Sequence, residues 1–333
     1  MKAAVLNQKN YKLEIREVSQ PVLSESNVLI KLKVAALNHH ELWSLQEKNL
    51  KSNSNIIMGS DGAGVIIELG DAVNNFKIGD EIIINPSINW GFDKRVHGEK
   101  YEILGFPTQG TFAEYISINQ KYAFHKPKYL SFEEAAAFPL AGLTAYRALY
   151  TRGELEANNT VLITGIGGGV ALFALRFAVA SGANVYVTSG NDNKIRKAIE
   201  LGAKGGTNYK KNTWGSELLN QASGFDVIID SAAGEGFIEL TKLAKPGCRI
   251  ALFGRTAGQI PMLNPSIIFW KQLSIHGTTM GTDEEFKKMI DLISTKRIRP
   301  IIDSTYPFEK IIDGFEKMES GRQFGKIIIK IAD

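Results

Sequence analysis

Along the first 125 residues apolar side chains recur mostly at every second position, and glycines punctuate the runs. KAAVLN (2–7), KLEIREV (12–18), NVLIKLKVAALN (27–38), AGVIIELG (63–70), DEIIIN (80–85) and TFAEYISI (111–118) follow this rhythm. Alternation of this kind predicts strands with one face against a core. Lys77-Ile78-Gly79-Asp80 is a turn signal between two of them, and Asn89 to Gln109 keeps no period, which predicts a lobe or long loop. Ser131 and Glu134 form a capping-box pattern that predicts a helix from there to about Tyr150. From 160 to 280 strand-like and helix-like periods alternate. FDVIIDSA (225–232), CRIALFG (248–254) and LSIHGTTM (273–280) are the later strands, each ending in small or polar residues. The tail predicts helices near 283–296 and 307–320 and a last strand, GKIIIKI (325–331). This order predicts an α/β protein in which a parallel-sheet nucleotide domain, 126–280, is inserted between a β-rich domain, 1–125, and its completion, 281–333.

The segment Thr160 to Gly182, TVLITGIGGGVALFALRFAVASG, narrows the chemistry. A short apolar run leads into a turn with four glycines among five residues, then into an apolar stretch of helical period. A second strand, Asn184 to Ser189, follows at the distance a βαβ unit needs. Glycines in such a turn let a phosphate approach the backbone, and the helix N-terminus offers unpaired N–H groups. The strict G-x-G-x-x-G pattern fails, because Val170 stands where the third glycine belongs. The spacing Gly165, Gly168, Ala171 fits instead, and alanine suffices where the helix packs on the strand. A dinucleotide site is expected here. An NAD site usually ends its second strand in Asp or Glu, to bind the ribose hydroxyls. This chain has Thr188, Ser189, Gly190 and Asn191, with Lys194 and Arg196 following, and Asp192 suits the start of the next helix. NADP(H) is therefore the expected cofactor.

Composition excludes more than it selects. The 333 residues suit two domains, and 44% apolar with 22% charged residues is globular usage. A net charge of +4, with no long basic block, gives no reason to expect nucleic acid as a partner. The single cysteine, Cys248, rules out an internal disulfide framework and fits a reducing cytosol. Met1 leads directly into strand-like sequence, and no apolar run reaches the roughly 18 residues of a membrane span. A cytoplasmic protein is expected.

The segments AALNHHELW, MGSDGAGVI, VNNFKIGDEI, GTFAEYISI, FPLAGLTAYRAL, VLITGIGGGVA, ELGA, DVIIDSAAG and FGKIIIKI, in this order, resemble the medium-chain dehydrogenase/reductase superfamily over nearly the whole chain. Within it the chain looks like the zinc-free quinone oxidoreductase branch. The resemblance implies a GroES-like β domain plus a Rossmann domain, with substrate in the cleft between them. It implies NADPH contacts from Gly168, Gly169 and Val170 at the pyrophosphate and from Ser189, Lys194 and Tyr209 near the 2′-phosphate. Phe253, Gly254, Thr278, Thr279 and Met280 would pass the nicotinamide, and Asn38, Thr144 and Lys326 would also lie near the cofactor.

Zinc-dependent relatives carry Cys where this chain has Asn38, His where it has Ser60, and a third ligand near Leu140. Asn, Ser and Leu do not make a zinc site, and Asp61 alone would not hold the ion. The lobe at Asn89 to Gln109 lacks the four cysteines of a structural zinc. His39 and His40, expected in a strand or extended turn, would point opposite ways. No metal is expected. Without a Lewis acid, reduction of an electrophilic quinone or α,β-unsaturated carbonyl is easier than alcohol oxidation. Relatives that reduce enoyl thioesters use a tyrosine where this chain has Asn49, so no general acid is identified. Asn38, His39, His40 and Trp43 are the candidates near the expected cleft.

Three alternatives stay open: alcohol dehydrogenase or enoyl-thioester reductase activity, or a redox-silent NADPH-binding protein. A short-chain dehydrogenase is disfavoured. Its Tyr-x-x-x-Lys would have to be Tyr306 and Lys310, and Pro307 between them suits the first position of a helix, leaving Tyr306 outside. The unpaired edge expected at Leu273 to Gly277 predicts a homodimer, with a small electrophile as the other partner.

Overall fold

The computed structural model describes residues 1–7, 12–46 and 55–332. The chain forms two compact units, Met1–Ala141 with Gly281–Asp333, and Gly142–Met280. The sequence boundary at 125/126 falls earlier than this division. The capped helix Phe132–Ala136 packs on strands Asn27–Ala36, Asp61–Leu69 and Lys326–Lys330, so it stays with the first unit.

The first unit is built on a seven-stranded sheet. Its path runs 123–125, 81–84, 61–69, 27–36, 326–330 and 302–307, and Tyr115–Asn119 also pairs with Asn27–Ala36. Val28, Ile30, Leu32 and Val34 are buried and alternate with Lys31 and Lys33, as the period-two pattern requires. A smaller sheet orders 12–17, 2–7 and 56–57. The C-terminal strand enters antiparallel beside Asn27–Ala36, with Ile328 opposite Ala36. Asp61 lies opposite the same Ala36 from the other side. That register brings the end of one strand and the starts of two others to one place.

The helix expected from 131 to about 150 is broken. Ser131 and Glu134 do close a reciprocal capping box. Pro139 then lacks an N–H and restricts Phe138, so a separate helix, Pro139–Tyr146, begins and widens into a π-type turn over Arg147–Arg152. In the tail, Pro307 closes strand Ile302–Pro307, and the helix proper is Ile311–Glu319. His39 and His40 are corrected too. They open the helix His39–Gln46 rather than lying in extended chain, because Glu41 reaches back to the Asn38 N–H as half of a capping box.

The second unit is a six-stranded parallel sheet in the order 205–208, 184–189, 160–163, 225–230, 244–252, 274–277. This is the doubly wound Rossmann order, which reverses at the first strand, Thr160–Ile163. Both faces are covered, so Val161, Leu162 and Ile163 are all buried. Helix Gly169–Ala180 buries Ala171, Leu172, Phe173, Leu175 and Phe177. No helix among the described residues is long and apolar enough to cross a membrane.

Candidate functional site

In a parallel sheet every strand ends at the same edge, and ligands bind outside those carboxyl ends. In the second unit the sequence candidates line that edge. Gly168, Gly169 and Val170 follow the first strand, Ser189 ends the second and Tyr209 follows the third. Phe253 and Gly254 follow the fifth, and Thr278, Thr279 and Met280 the sixth. The glycine turn needs its glycines. Gly165 has φ +66° and Gly167 φ +128°, and a Cβ on Gly165 would stand 2.5 Å from Ser231 Oγ. The turn is tied to the second strand by the Ile166 N–H, which donates to the Thr188 carbonyl at 2.8 Å. Gly168 caps helix Gly169–Ala180 with no side-chain hydrogen bond, and a Cβ there would meet nothing within 4 Å. Unpaired N–H groups, a positive dipole end and room for a group to approach fit a dinucleotide pyrophosphate.

The remaining edge fits the same ligand. The Tyr209 N–H donates to the Ser189 carbonyl at 3.2 Å, and the Tyr209 ring packs against Gly190, where a Cβ would come within 2.8 Å of its hydroxyl. Ser189 is buried, and its Oγ accepts from the Asn191 N–H at 3.3 Å. Asp192 opens the next helix and accepts from Asn208 Nδ2. A Cβ on Gly254 would lie 2.3 Å from the Ser231 carbonyl oxygen. Thr278 Oγ1 is buried with no hydrogen-bond partner among the described residues. Thr144, on helix Pro139–Tyr146, points its hydroxyl at Met280 Sδ. Lys194 lies on helix Asp192–Glu200.

The sequence candidates do not include Asp230, which is buried at the end of the fourth strand. It accepts from Thr164 Oγ1 at 2.6 Å and from the Ala233 N–H at 2.9 Å, bracing the switch point. Burial raises its pKa against those donors. A carboxylate closing the apolar run Val227–Ile229 was the available signal.

In the first unit Asn38, Asp61 and Lys326 meet in a buried triangle. Lys326 Nζ lies 3.1 Å from Asp61 Oδ2 and donates also to Asn38 Oδ1. Asn38 Nδ2 donates to Asp61 Oδ2 at 3.0 Å, and the Leu140 N–H donates to Asp61 Oδ1 at 2.8 Å. Beneath it Glu41, fully buried, accepts the N–H groups of Asn38 at 2.7 Å and Ser60 at 2.8 Å. Burial pushes the Glu41 carboxyl up to about 7 and the His40 imidazole down to about 4. Burial, and then the Lys326 charge, lower His39 as well. Trp43, one turn on from His39, is half-exposed with its ring 6.1 Å away.

These residues do not fit a zinc ion. Among Asn38, Ser60 and Leu140 no side chain is an imidazole, thiolate or carboxylate; of the nearby carboxylates, Asp61 already faces an ammonium group and Glu41 accepts two backbone N–H groups. Among the described residues no group of three His, Cys, Asp or Glu is placed to hold a metal. In the lobe at 89–109, His97 and Tyr101 stack and Trp90 meets both edge-on, where a structural zinc would need thiols. Asn49 lies outside the described residues. Tyr306 sits in a strand and Lys310 in a single 3₁₀ turn, so they share no helix face.

Known proteins match along most of the chain. The family described as alcohol dehydrogenase GroES-like domain matches residues 24–128, and that described as zinc-binding dehydrogenase matches 169–295. The chain is 35% identical to a zinc-type alcohol dehydrogenase-like protein of Leptosphaeria maculans, over 96% of this chain and 95% of that one. It is 31% identical to the 2-methylene-furan-3-one reductase of Solanum lycopersicum, over 94% of this chain and 74% of that protein. A solved structure of an NAD-dependent alcohol dehydrogenase, 31% identical, superposes with a TM-score of 0.93 over 100% of both chains.

Proposed function

The chain belongs to the medium-chain dehydrogenase/reductase superfamily of oxidoreductases, and on that premise we propose that it is an NADPH-dependent, zinc-independent reductase of quinones or α,β-unsaturated carbonyls. One observation carries this reading: the Lys326 ammonium, held by Asp61 and Asn38, among residues that carry no zinc-ligand set. Without a Lewis acid to polarise an alcohol or its ketone, the acceptor must already be electrophilic. The likeness to 2-methylene-furan-3-one reductase agrees with a conjugated acceptor.

Bound NADPH would supply two electrons as hydride. The chain would supply position. The Gly168–Val170 backbone would hold the pyrophosphate at the helix N-terminus, and Thr278 would offer its unpartnered hydroxyl on the nicotinamide side. Ser189, with no carboxylate at the strand tip, would accommodate the 2′-phosphate beside Tyr209 and Lys194. A buried thiol and no disulfide suit a cytoplasmic setting. The sixth strand, Ser274–Gly277, pairs on one side only among the described residues, and Met262, Phe269 and Trp270 nearby in sequence are exposed. These features support a homodimer.

The likeness to an NAD-dependent alcohol dehydrogenase favours a second reading, alcohol oxidation with NAD. One experiment separates the two: turnover with quinones, enones, enoyl thioesters and primary alcohols, with NADPH or NADH and their oxidised forms, before and after exhaustive chelation. The reductase reading expects enone or quinone reduction that survives chelation, with NADPH bound at least tenfold tighter than NADH, a gap of about 1.4 kcal/mol. Ethanol oxidation that is lost with zinc, without enone or quinone turnover, would overturn it.

A further inference from the structure

The Asn38 side chain directly precedes helix His39–Gln46, where an asparagine commonly caps the first N–H groups through its Oδ1. Here Oδ1 accepts from Lys326 instead, and Nδ2 donates to Asp61. Lysine is a donor only and a carboxylate an acceptor only. Turning the amide over would set N–H against ammonium and C=O against carboxylate, so one orientation is allowed. The clamp is itself anchored. Asp61 Oδ1 is held by the Leu140 N–H, Lys326 closes the triangle on Asp61 Oδ2, and the Asn38 backbone N–H is held by Glu41. The three side chains come from strand ends brought together by the pairing of Ala36 with both Asp61 and Ile328.

Hydrogen-bond accounting in the triangle leaves two donors over among the described residues, a third Lys326 Nζ proton and one on the Asn38 amide. Asn38 Nδ2 has two protons; Asp61 takes one, and no hydrogen bond among the described residues takes the other. Asn38 is only 6% exposed, and a buried donor left unpaired costs stability unless a ligand pairs it. The ammonium on Oδ1 also draws density from the amide and strengthens its N–H as a donor.

We propose that Lys326 and Asp61 are positioning residues that hold the Asn38 carboxamide in one orientation, and that its second Nδ2 proton pairs with the carbonyl oxygen of the conjugated acceptor. This rests on the reductase reading. As hydride adds to the β carbon, the C=C electron pair shifts to form an enolate, charge collects on oxygen, and a proton from water completes the α carbon. A fixed donor aimed at that oxygen lowers the barrier because it need not reorganise.

The test uses the full chain. Lys326→Met alone leaves Asp61 buried without its cation and is a poor probe, because the variant can fail to fold. The Asp61→Asn/Lys326→Met double variant removes both charges together. With the urea midpoint and NADPH affinity near wild type, kcat for an enone should fall about 100-fold, the scale of losing one oxyanion donor, and Lys326→Arg should recover part of it. A folded double variant with kcat within about threefold of wild type would show a purely structural pair and overturn the proposal. A second readout needs no turnover. In asparagine-labelled wild-type protein the Asn38 side-chain amide should show one proton protected from exchange and one that exchanges freely or shifts with an acceptor analogue. Two protons exchanging alike would sink the clamp whether or not the double variant folds. Wild type that reduces no acceptor, yet keeps this split amide, would defeat the reductase reading alone.

Discussion

Glu41 and His40, neighbours on one helix, should pull stability in opposite directions over the same pH range. Burial raises the Glu41 carboxyl from 4.5 to about 7. Above about pH 4.5 the unfolded chain releases this proton while the folded chain keeps it, so stability is lost as pH rises toward 7. At 1.36 kcal/mol per unit of pKa the full loss is about 3 kcal/mol, of which about 2.5 falls between pH 5 and 8. Burial lowers His40 from 6.5 to about 4, so its contribution is lost as pH falls through that window. The two slopes nearly cancel in the wild type. Glu41→Gln removes only the first. A glutamine must set its NH₂ against the Asn38 or Ser60 N–H, which adds a cost that does not vary with pH. The slope, not the offset, is therefore the observable. Urea unfolding at pH 5, 6, 7 and 8 should show the variant gaining about 2.5 kcal/mol on wild type across the series. Parallel profiles, with the gap changing by less than about 1 kcal/mol, would refute a Glu41 proton retained by burial.

Two further outcomes follow from the same structure. Burial, with Asp226 nearby, pushes the Cys248 thiol up to about 12, so iodoacetamide at pH 8 should label it only after denaturation; rapid native labelling would contradict its burial in strand Ala244–Leu252. Trp270 is 78% exposed on helix Pro265–Trp270; light scattering should find a dimer for wild type and more monomer for Trp270→Glu, and a wild-type monomer at micromolar concentration would remove the edge-pairing argument.

What the sequence by itself determined lies in short-range pattern. Alternation in NVLIKLKVAA and the turn at Gly165–Gly169 specify strand and strand–turn–helix because periodicity and backbone freedom are properties of neighbouring residues. The candidates along the Rossmann edge were legible for the same reason, since the ends of parallel strands share one side whatever the details of packing. Local chemistry was misjudged where two local signals competed: Pro139 overrode the alanine-rich helix, and Glu41 drew His39 and His40 into a helix. The triangle of Asn38, Asp61 and Lys326 was decided only by the fold. The resemblance placed both Lys326 and Asn38 near the cofactor, but their hydrogen bond, across 288 positions, is visible only in the structure. No period links residues so far apart. Their meeting depends on the register of three strands, and their energetic weight depends on burial, which exists only once the sheet has formed.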